Sequence, residues 1–336
     1  MRTPNHLPGF LVVGALLVLT SVLAFFWSTE AKTPQTPLKL SISTTPLSAP
    51  IYIAQDKGFF AAHGLDIQLI EHKGGHRALK AMLEGQSQLA TTSDIPIMFN
   101  SFTANRYAVA TTFVQSENDL KVITRRDSHI ELISDIKGRR VGLIKGGSSQ
   151  YFFDTLRLVH HIAKEDVEVI ALPPEQLPPA LQAGQVDVII PWEPYGFDAQ
   201  QLLGDNAHVL SFTDEVYRET FNLVATQVFI ASHPEQLRSV IAALQDAVTF
   251  IHEFPFESQQ IIMQRLTVEQ DFIDWSWSDL EFGLSLSQSL IHTLEAEARW
   301  AINNQLVEAA QIPNFLDYIA ADSLEQVVPG AVTLVY

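Results

Sequence analysis

ALKAMLEGQSQLATTSD at residues 78–94 and PPALQAGQVDVIIPWEP at residues 178–194 are two versions of one phrase, and together they decide the fold. Each reads as an apolar helix, a Gly-Gln stop, a short strand and a polar or aromatic landing. Gly85 and Gly184 stand where the residue just past a helix takes positive φ, which glycine adopts with no Cβ to clash. The landings, Thr92-Ser93-Asp94 and Trp192-Glu193, then fall at the carboxyl ends of sheet strands, where open α/β folds hold ligands. Two such units predict two similar lobes facing a shared cleft.

Around the first copy, LKLSIS (38–43) and LDIQLIE (65–71) read as strands, with a helix over 50–62 between them and Gly64 as its stop. A helix over 75–84, a strand near 88–91, a helix over 95–102 and the strand YAVATTFV (107–114) continue the pattern. This βαβ grammar favours a mostly parallel sheet with helices on both faces. LKVITRR (120–126) reads as a connecting strand, after which ISDIKGRRVGLIKGGSSQYFFDTLRLV (133–159) restarts the grammar.

The second lobe continues through DVEVIAL (166–172), the second copy of the phrase and HVLSF (208–212). TFNLVATQVFIAS (220–232) reads as one long apolar strand returning to the first lobe. From His233 on, the pattern reads as helical. Leu237, Ile241, Leu244 and Val248 form a stripe behind Pro234, and a second long amphipathic helix is predicted over 285–310. The expected division is 38–125 for the first part of lobe one, 126–219 for lobe two, and 220–336 for a crossover strand and helices packed on lobe one.

At 336 residues and 47% hydrophobic content the chain has enough apolar material for ordinary globular cores. Its net charge of −17 argues against nucleic acid, whose binding rests on Lys and Arg neutralising phosphates. The uncharged run GFLVVGALLVLTSVLAFFW (9–27) approaches the ~20 residues of a membrane-spanning helix. Arg2 before it orients the amino end inside. Residues 1–31 are therefore expected to be either an export signal or an uncleaved anchor, with KTPQTP (32–37) as a spacer. No cysteine is present, which leaves no thiol for lipid attachment, disulfides or thiolate metal sites.

The chain resembles the periplasmic substrate-binding proteins of ABC importers, in the nitrate, sulfonate, taurine and thiamine-pyrimidine group. The marks are PLSAPIYIAQDKGFFAAHGLDIQLI after the first strand, DIKGRRVGLIKGGSSQYFF at the start of lobe two, LQAGQVDVIIPWEPY, and the late LSQSLIHTLEAEARWAI. The resemblance covers residues 38–307. It implies a two-lobed α/β fold of the type II periplasmic-binding-protein class, joined by two crossover strands and closing on a ligand. It further implies an extracytoplasmic monomer that captures a small organic solute and delivers it to an ABC permease, without catalysis or cofactor. A membrane-anchored sensing module and a thiamine-pyrimidine synthase-like enzyme are the alternatives. That enzyme's iron motif is cysteine-rich, and this chain has no cysteine.

A small oxyanion in a dry cleft is held well by neutral donors at helix starts, which carry partial positive charge. Gly146-Gly147-Ser148-Ser149 offers that geometry, with Gly147, Ser148 and Ser149 as the candidate contacts. Lobe one offers Ser48 before its first helix and Gly75 and His76 at its second. Thr92, Ser93 and Asp94 close the first copy of the phrase. Asp94 reads either as a helix cap or as a cleft carboxylate favouring an amine, and Trp192 and Glu193 as a stacking wall and an acceptor, or as packing. Of His63, His72, His76, His160 and His161, only His72 and His76 have His-x-x-x-His spacing, and they straddle a Gly-Gly turn, so no specific zinc site is expected. The Gly-x-Ser-x-Gly nucleophile elbow and the Gly-x4-Gly-Lys phosphate loop are both missing.

Overall fold

The computed structural model describes residues 37–103, 106–211 and 216–335. The expected leader or anchor at 1–31, and all of the spacer but Pro37, lie outside them. Residues Pro37–Tyr336 form one compact unit. Among the described residues no helix is long and apolar enough to cross a membrane.

The first half runs β1 (Leu38–Ser43), α1 (Ala49–Asp56), α2 (Phe59–Ala62), β2 (Ile67–His72), α3 (Gly75–Leu83), β3 (Leu89–Ser93), α4 (Asp94–Ser101) and β4 (Tyr107–Ser116). The single helix read over 50–62 is two, because Gly58 takes a left-handed φ of 74° and turns the chain between them. The middle runs β5 (Ile123–Arg125), β6 (Arg140–Leu143), α5 (Ser148–Val159), β7 (Glu168–Ala171), α6 (Leu177–Gln182), β8 (Val188–Ile189), α7 (Tyr195–Leu203) and β9 (Ala207–Val209).

The last part runs β10 (Glu219–Thr226), α8 (Gln227–Ser232), α9 (Pro234–Glu253), α10 (Pro255–Leu266), α11 (Gln270–Ser276), β11 (Glu281–Ser287), α12 (Gln288–Asn303), α13 (Asp322–Val327) and β12 (Val332–Thr333). Two readings change here. The strand from Thr220 stops at Thr226, whose Oγ1 accepts from Phe229 N at 3.2 Å and caps α8. The helix predicted from 285 starts at Gln288 instead. Before it, Leu284 and Leu286 are buried while Gly283 is exposed and Ser285 half-buried, a two-residue alternation that makes β11 a strand.

Two sheets result, one of seven strands in the order β12-β11-β4-β10-β3-β1-β2 and one of five in the order β7-β6-β8-β5-β9. β1 pairs in parallel with β2 and β3, and β6 with β7 and β8. β10 is antiparallel to β3 and β4, and β5 to β8 and β9, as suits strands that carry the chain between the sheets. The stripe Leu237, Ile241, Leu244 and Val248 of α9 is buried in the larger core.

Both copies of the repeated phrase end their helices in the same way. Gly85 N bonds Met82 O and Gln86 N bonds Ala81 O, while Gly184 N bonds Leu181 O and Gln185 N bonds Ala180 O. With φ of 84° and 65° at the two glycines, both are Schellman caps that aim a strand back into its sheet.

Candidate functional site

α3 begins hard against the end of β3. A Cβ on Gly75 would stand 2.9 Å from Thr92 Cα and 3.1 Å from Thr92 Oγ1, so only glycine brings this helix start so close. Thr92 is fully buried, and its hydroxyl has no hydrogen-bond partner among the described residues. It therefore sits beside the unpaired N–H groups that open a helix. His76 is exposed; partial burial of its ring, with the Arg77 guanidinium nearby, lowers its pKa and leaves it neutral at pH 7. Ser48 is fully buried, and its Oγ donates to Ser43 O at 2.7 Å.

Asp94 opens α4 and is fully buried. Ile95 N donates to its Oδ1 at 2.9 Å, Thr220 N and Oγ1 to its Oδ2 at 3.0 and 3.2 Å, and Tyr217 OH to its Oδ1. Burial pushes the carboxyl's pKa up, and the donors from Tyr217, Thr220 and Ile95 oppose the rise. The group thus ties α4 to the strand returning from the other sheet. Ser93 precedes α4 half-buried, with its hydroxyl toward Glu219.

In the smaller sheet, α5 starts at Ser148 after Gly146, whose φ is 73°. The two serines differ. Ser149 Oγ donates to Ile190 O at 2.5 Å and accepts from Ile144 N at 3.2 Å, which fastens the turn to β8. Ser148 is buried beside Gly147 at the helix start, and its hydroxyl has no such tie among the described residues. Trp192 is half-buried and meets Tyr195 edge-on at 6.3 Å. Glu193 is buried and accepts from Trp275 Nε1 at 2.6 Å and Phe197 N at 3.0 Å, with Lys121 Nζ at 3.1 Å. Burial raises its pKa against these partners.

Lys121, Tyr217, Trp275 and Glu297 were not singled out from sequence. Glu297 left a signal, because Leu290, Leu294, Glu297 and Ala301 form one helical stripe and all are buried. An acid inside an apolar stripe marks a buried partner. Besides the Trp275 bond to Glu193, the carboxy-terminal helices reach lobe two where Trp300 Nε1 donates to Asp154 Oδ2 at 2.8 Å and where Phe197 packs on Phe272 at 5.3 Å. Near Trp300, whose ring meets Tyr151 edge-on, a cavity of about 280 Å³ is lined by Tyr151, Tyr217, Arg218 and His292 among others.

A model of the NMT1/THI5-like family matches residues 45–258. The chain belongs to that family. Among curated relatives, one of Bacillus subtilis (strain 168), named for binding aliphatic sulfonates, is 23% identical over 215 residues, 61% of this chain and 63% of that protein. Another, of Haemophilus influenzae and named for thiamine biosynthesis, is 25% identical over 219 residues, 64% of this chain and 68% of that protein. The matches thus span roughly two thirds of the length of these relatives.

Among solved structures, the periplasmic aliphatic sulphonate binding protein of Escherichia coli superposes with a TM-score of 0.74 at 18% identity, over 85% of this chain and 98% of that one. The desulfurization enzyme DSZB superposes at 0.63 with 14% identity, over 86% and 98%. The fold is that of periplasmic binding proteins, and it serves both binders and an enzyme.

Proposed function

We propose that this chain is the extracytoplasmic solute-binding component of an ABC importer, closing its two lobes on a small organic oxyanion of the sulfonate class. The observation that carries the reading is the buried, unpartnered Thr92 hydroxyl beside Gly75 at the start of α3. Gly147 and Ser148 at the start of α5 supply the matching neutral donors from lobe two, and Trp192 an apolar wall. Asp94 and Glu193 are satisfied by donors of the chain itself, so neither calls for a cationic solute. The names of the sulfonate-binding relatives support the same class.

Closure gives the mechanism. A solute held by one lobe completes its contacts with the other and shifts the open–closed equilibrium by its differential affinity. No reaction is assigned, and a permease is the partner the reading requires. Calorimetry on the full chain with alkanesulfonates, taurine, nitrate and an amino-pyrimidine tests it. A sulfonate is expected to bind, and Thr92→Val to weaken it about tenfold, the value of one buried hydrogen bond. Binding of the amino-pyrimidine alone would replace the sulfonate reading, and turnover of a bound compound would replace the transport reading.

A further inference from the structure

Both crossings between the sheets are lined with acid. Asp119 lies on the first, between β4 and β5, and Glu219 ends the second as the opening residue of β10, in register with Ser116 at the end of β4. Asp119 is 6% exposed and Glu219 5% exposed, and the two carboxyls face each other. Glu219 Oε2 has no N–H or O–H donor among the described residues. Asp94 and Glu297 form a second facing pair, both fully buried, and neither Glu297 oxygen has such a donor.

Charge balance makes these pairs unusual. Among the described residues the buried carboxyls are Asp94, Asp119, Asp154, Glu193, Glu219 and Glu297, whereas Lys121 is the single buried Lys or Arg. Lys121 is engaged with Glu193 and with Asp279 at 3.2 Å, and Asp154 with Arg157 at 2.8 Å. Two carboxyls in contact away from water do not both ionise; one keeps a proton and donates it to the other.

The four acids form one cluster, in which Glu219 also faces Glu297 and Tyr217. Asp119 faces the charge and backbone N–H of Glu193, Lys121 and Glu219. Glu219 faces Asp119, Asp94 and the Ser93 hydroxyl. Asp94 faces Tyr217, Thr220, the Ile95 N–H and Glu297, while Glu297 faces Asp94, Glu219 and Tyr217. Tyr151, edge-on to Tyr217 at 5.3 Å, adds an aromatic wall from lobe two, with Arg299 nearby.

We propose that closing the lobes takes up protons: Asp119 with Glu219, and Asp94 with Glu297, each share one proton that fastens the two crossings and α12 together, and ionisation of these pairs drives the hinge open. The direction follows from burial. Desolvation, then the Glu193 charge, pushes Asp119 up to about 7, and desolvation with the facing carboxylates lifts Glu219 and Glu297 well above the usual range. An open, wetted hinge returns these groups toward ~4. The closed form then binds more protons, so its advantage is complete below ~4 and fades as pH rises. For each proton taken up, the closed-to-open ratio falls about tenfold per pH unit inside that window.

The chain contains no cysteine, so label positions are free to choose. Val228→Cys and Leu158→Cys place spin labels at sites 79% and 67% exposed, beside the larger and the smaller sheet. Pulsed electron paramagnetic resonance on the labelled full chain, without added solute, reads the interlobe distance from pH 5 to 9. The short-distance population is expected to shrink as pH rises, and Asp119→Asn with Glu219→Gln to flatten that decline, leaving only the part that Asp94 and Glu297 supply. A distance that does not change with pH in the parent, or an unchanged pH profile in the double variant, overturns the proposal. Thermal unfolding of the unlabelled Glu297→Gln chain is a second measurement, expected to show a shallower loss of Tm between pH 5 and 8 than the parent. An equal slope counts against the second pair. No solute enters either measurement, so the result is independent of the sulfonate reading.

Discussion

The two helix-Gly-Gln-strand units share a cap and differ in how their final acid is neutralised. In the second, Glu193 meets a buried ammonium, Lys121, and an indole N–H from α11. In the first, Asp94 meets no cation among the described residues; the Ile95 N–H of its own helix and the hydroxyls and amide of the second crossing surround it, with a second carboxyl behind. The same local chain geometry therefore supports two electrostatic solutions. Each acid is fastened to a different crossing, so the asymmetry lies in the strands that join the two sheets.

The comparison breaks most sharply at Lys121. Lys121→Met leaves Glu193 and Asp279 without their ammonium and is expected to lower stability in urea by about 3–5 kcal/mol, the usual effect of orphaning a buried charge. Adding Glu193→Gln restores a large part of the loss if the ion pair is the cause. Full additivity of the two substitutions would show that it is not.

Asp94→Ala probes the uncharged solution. Tyr217 OH, Thr220 N and Ile95 N lose their acceptor, and an expected loss of roughly 2–3 kcal/mol follows from unpaired buried donors. Asp94→Asn keeps an acceptor oxygen and is expected to cost less. Equal losses for Ala and Asn in chemical denaturation would mean that charge, not hydrogen bonding, holds the first unit together.

The smallest effect concerns what the units share. Gly85→Ala and Gly184→Ala each force a side chain into left-handed backbone, expected to cost about 1 kcal/mol apiece. A Cβ meets nothing within 4 Å at Gly85, and at Gly184 only Arg125 side-chain nitrogens at 3.8 Å. Strain alone is left to act, and the two values should agree within about 0.5 kcal/mol by thermal unfolding. A clear difference would show that the caps are not equivalent.

Most of the sheet-forming grammar was legible because it is local. Gly85, Gly184 and the α9 stripe are visible in a window of a few residues and obey periodicity and capping rules. β11 was hidden because Leu286 lies four residues before Leu290 and eight before Leu294, and so extends the helical stripe backwards into the strand. The hinge chemistry was hidden for a different reason. Tyr217, Thr220 and Glu297 meet Asp94 from positions more than a hundred residues away, and no local pattern records such a meeting. Ser149 shows the same limit, since its tie to Ile190 O becomes visible only once β8 is in place.

The indole contacts to lobe two carry a practical consequence. Trp275 and Trp300 each donate to a carboxylate across the lobe boundary, and Trp192 stands half-buried next in sequence to Glu193, the acceptor of the Trp275 bond. Under the closure proposed above, parting the lobes would break these bonds and wet the rings. Three of the chain's five tryptophans would then form an intrinsic optical gauge, and a change in their emission on adding solute is the expected sign of that closure.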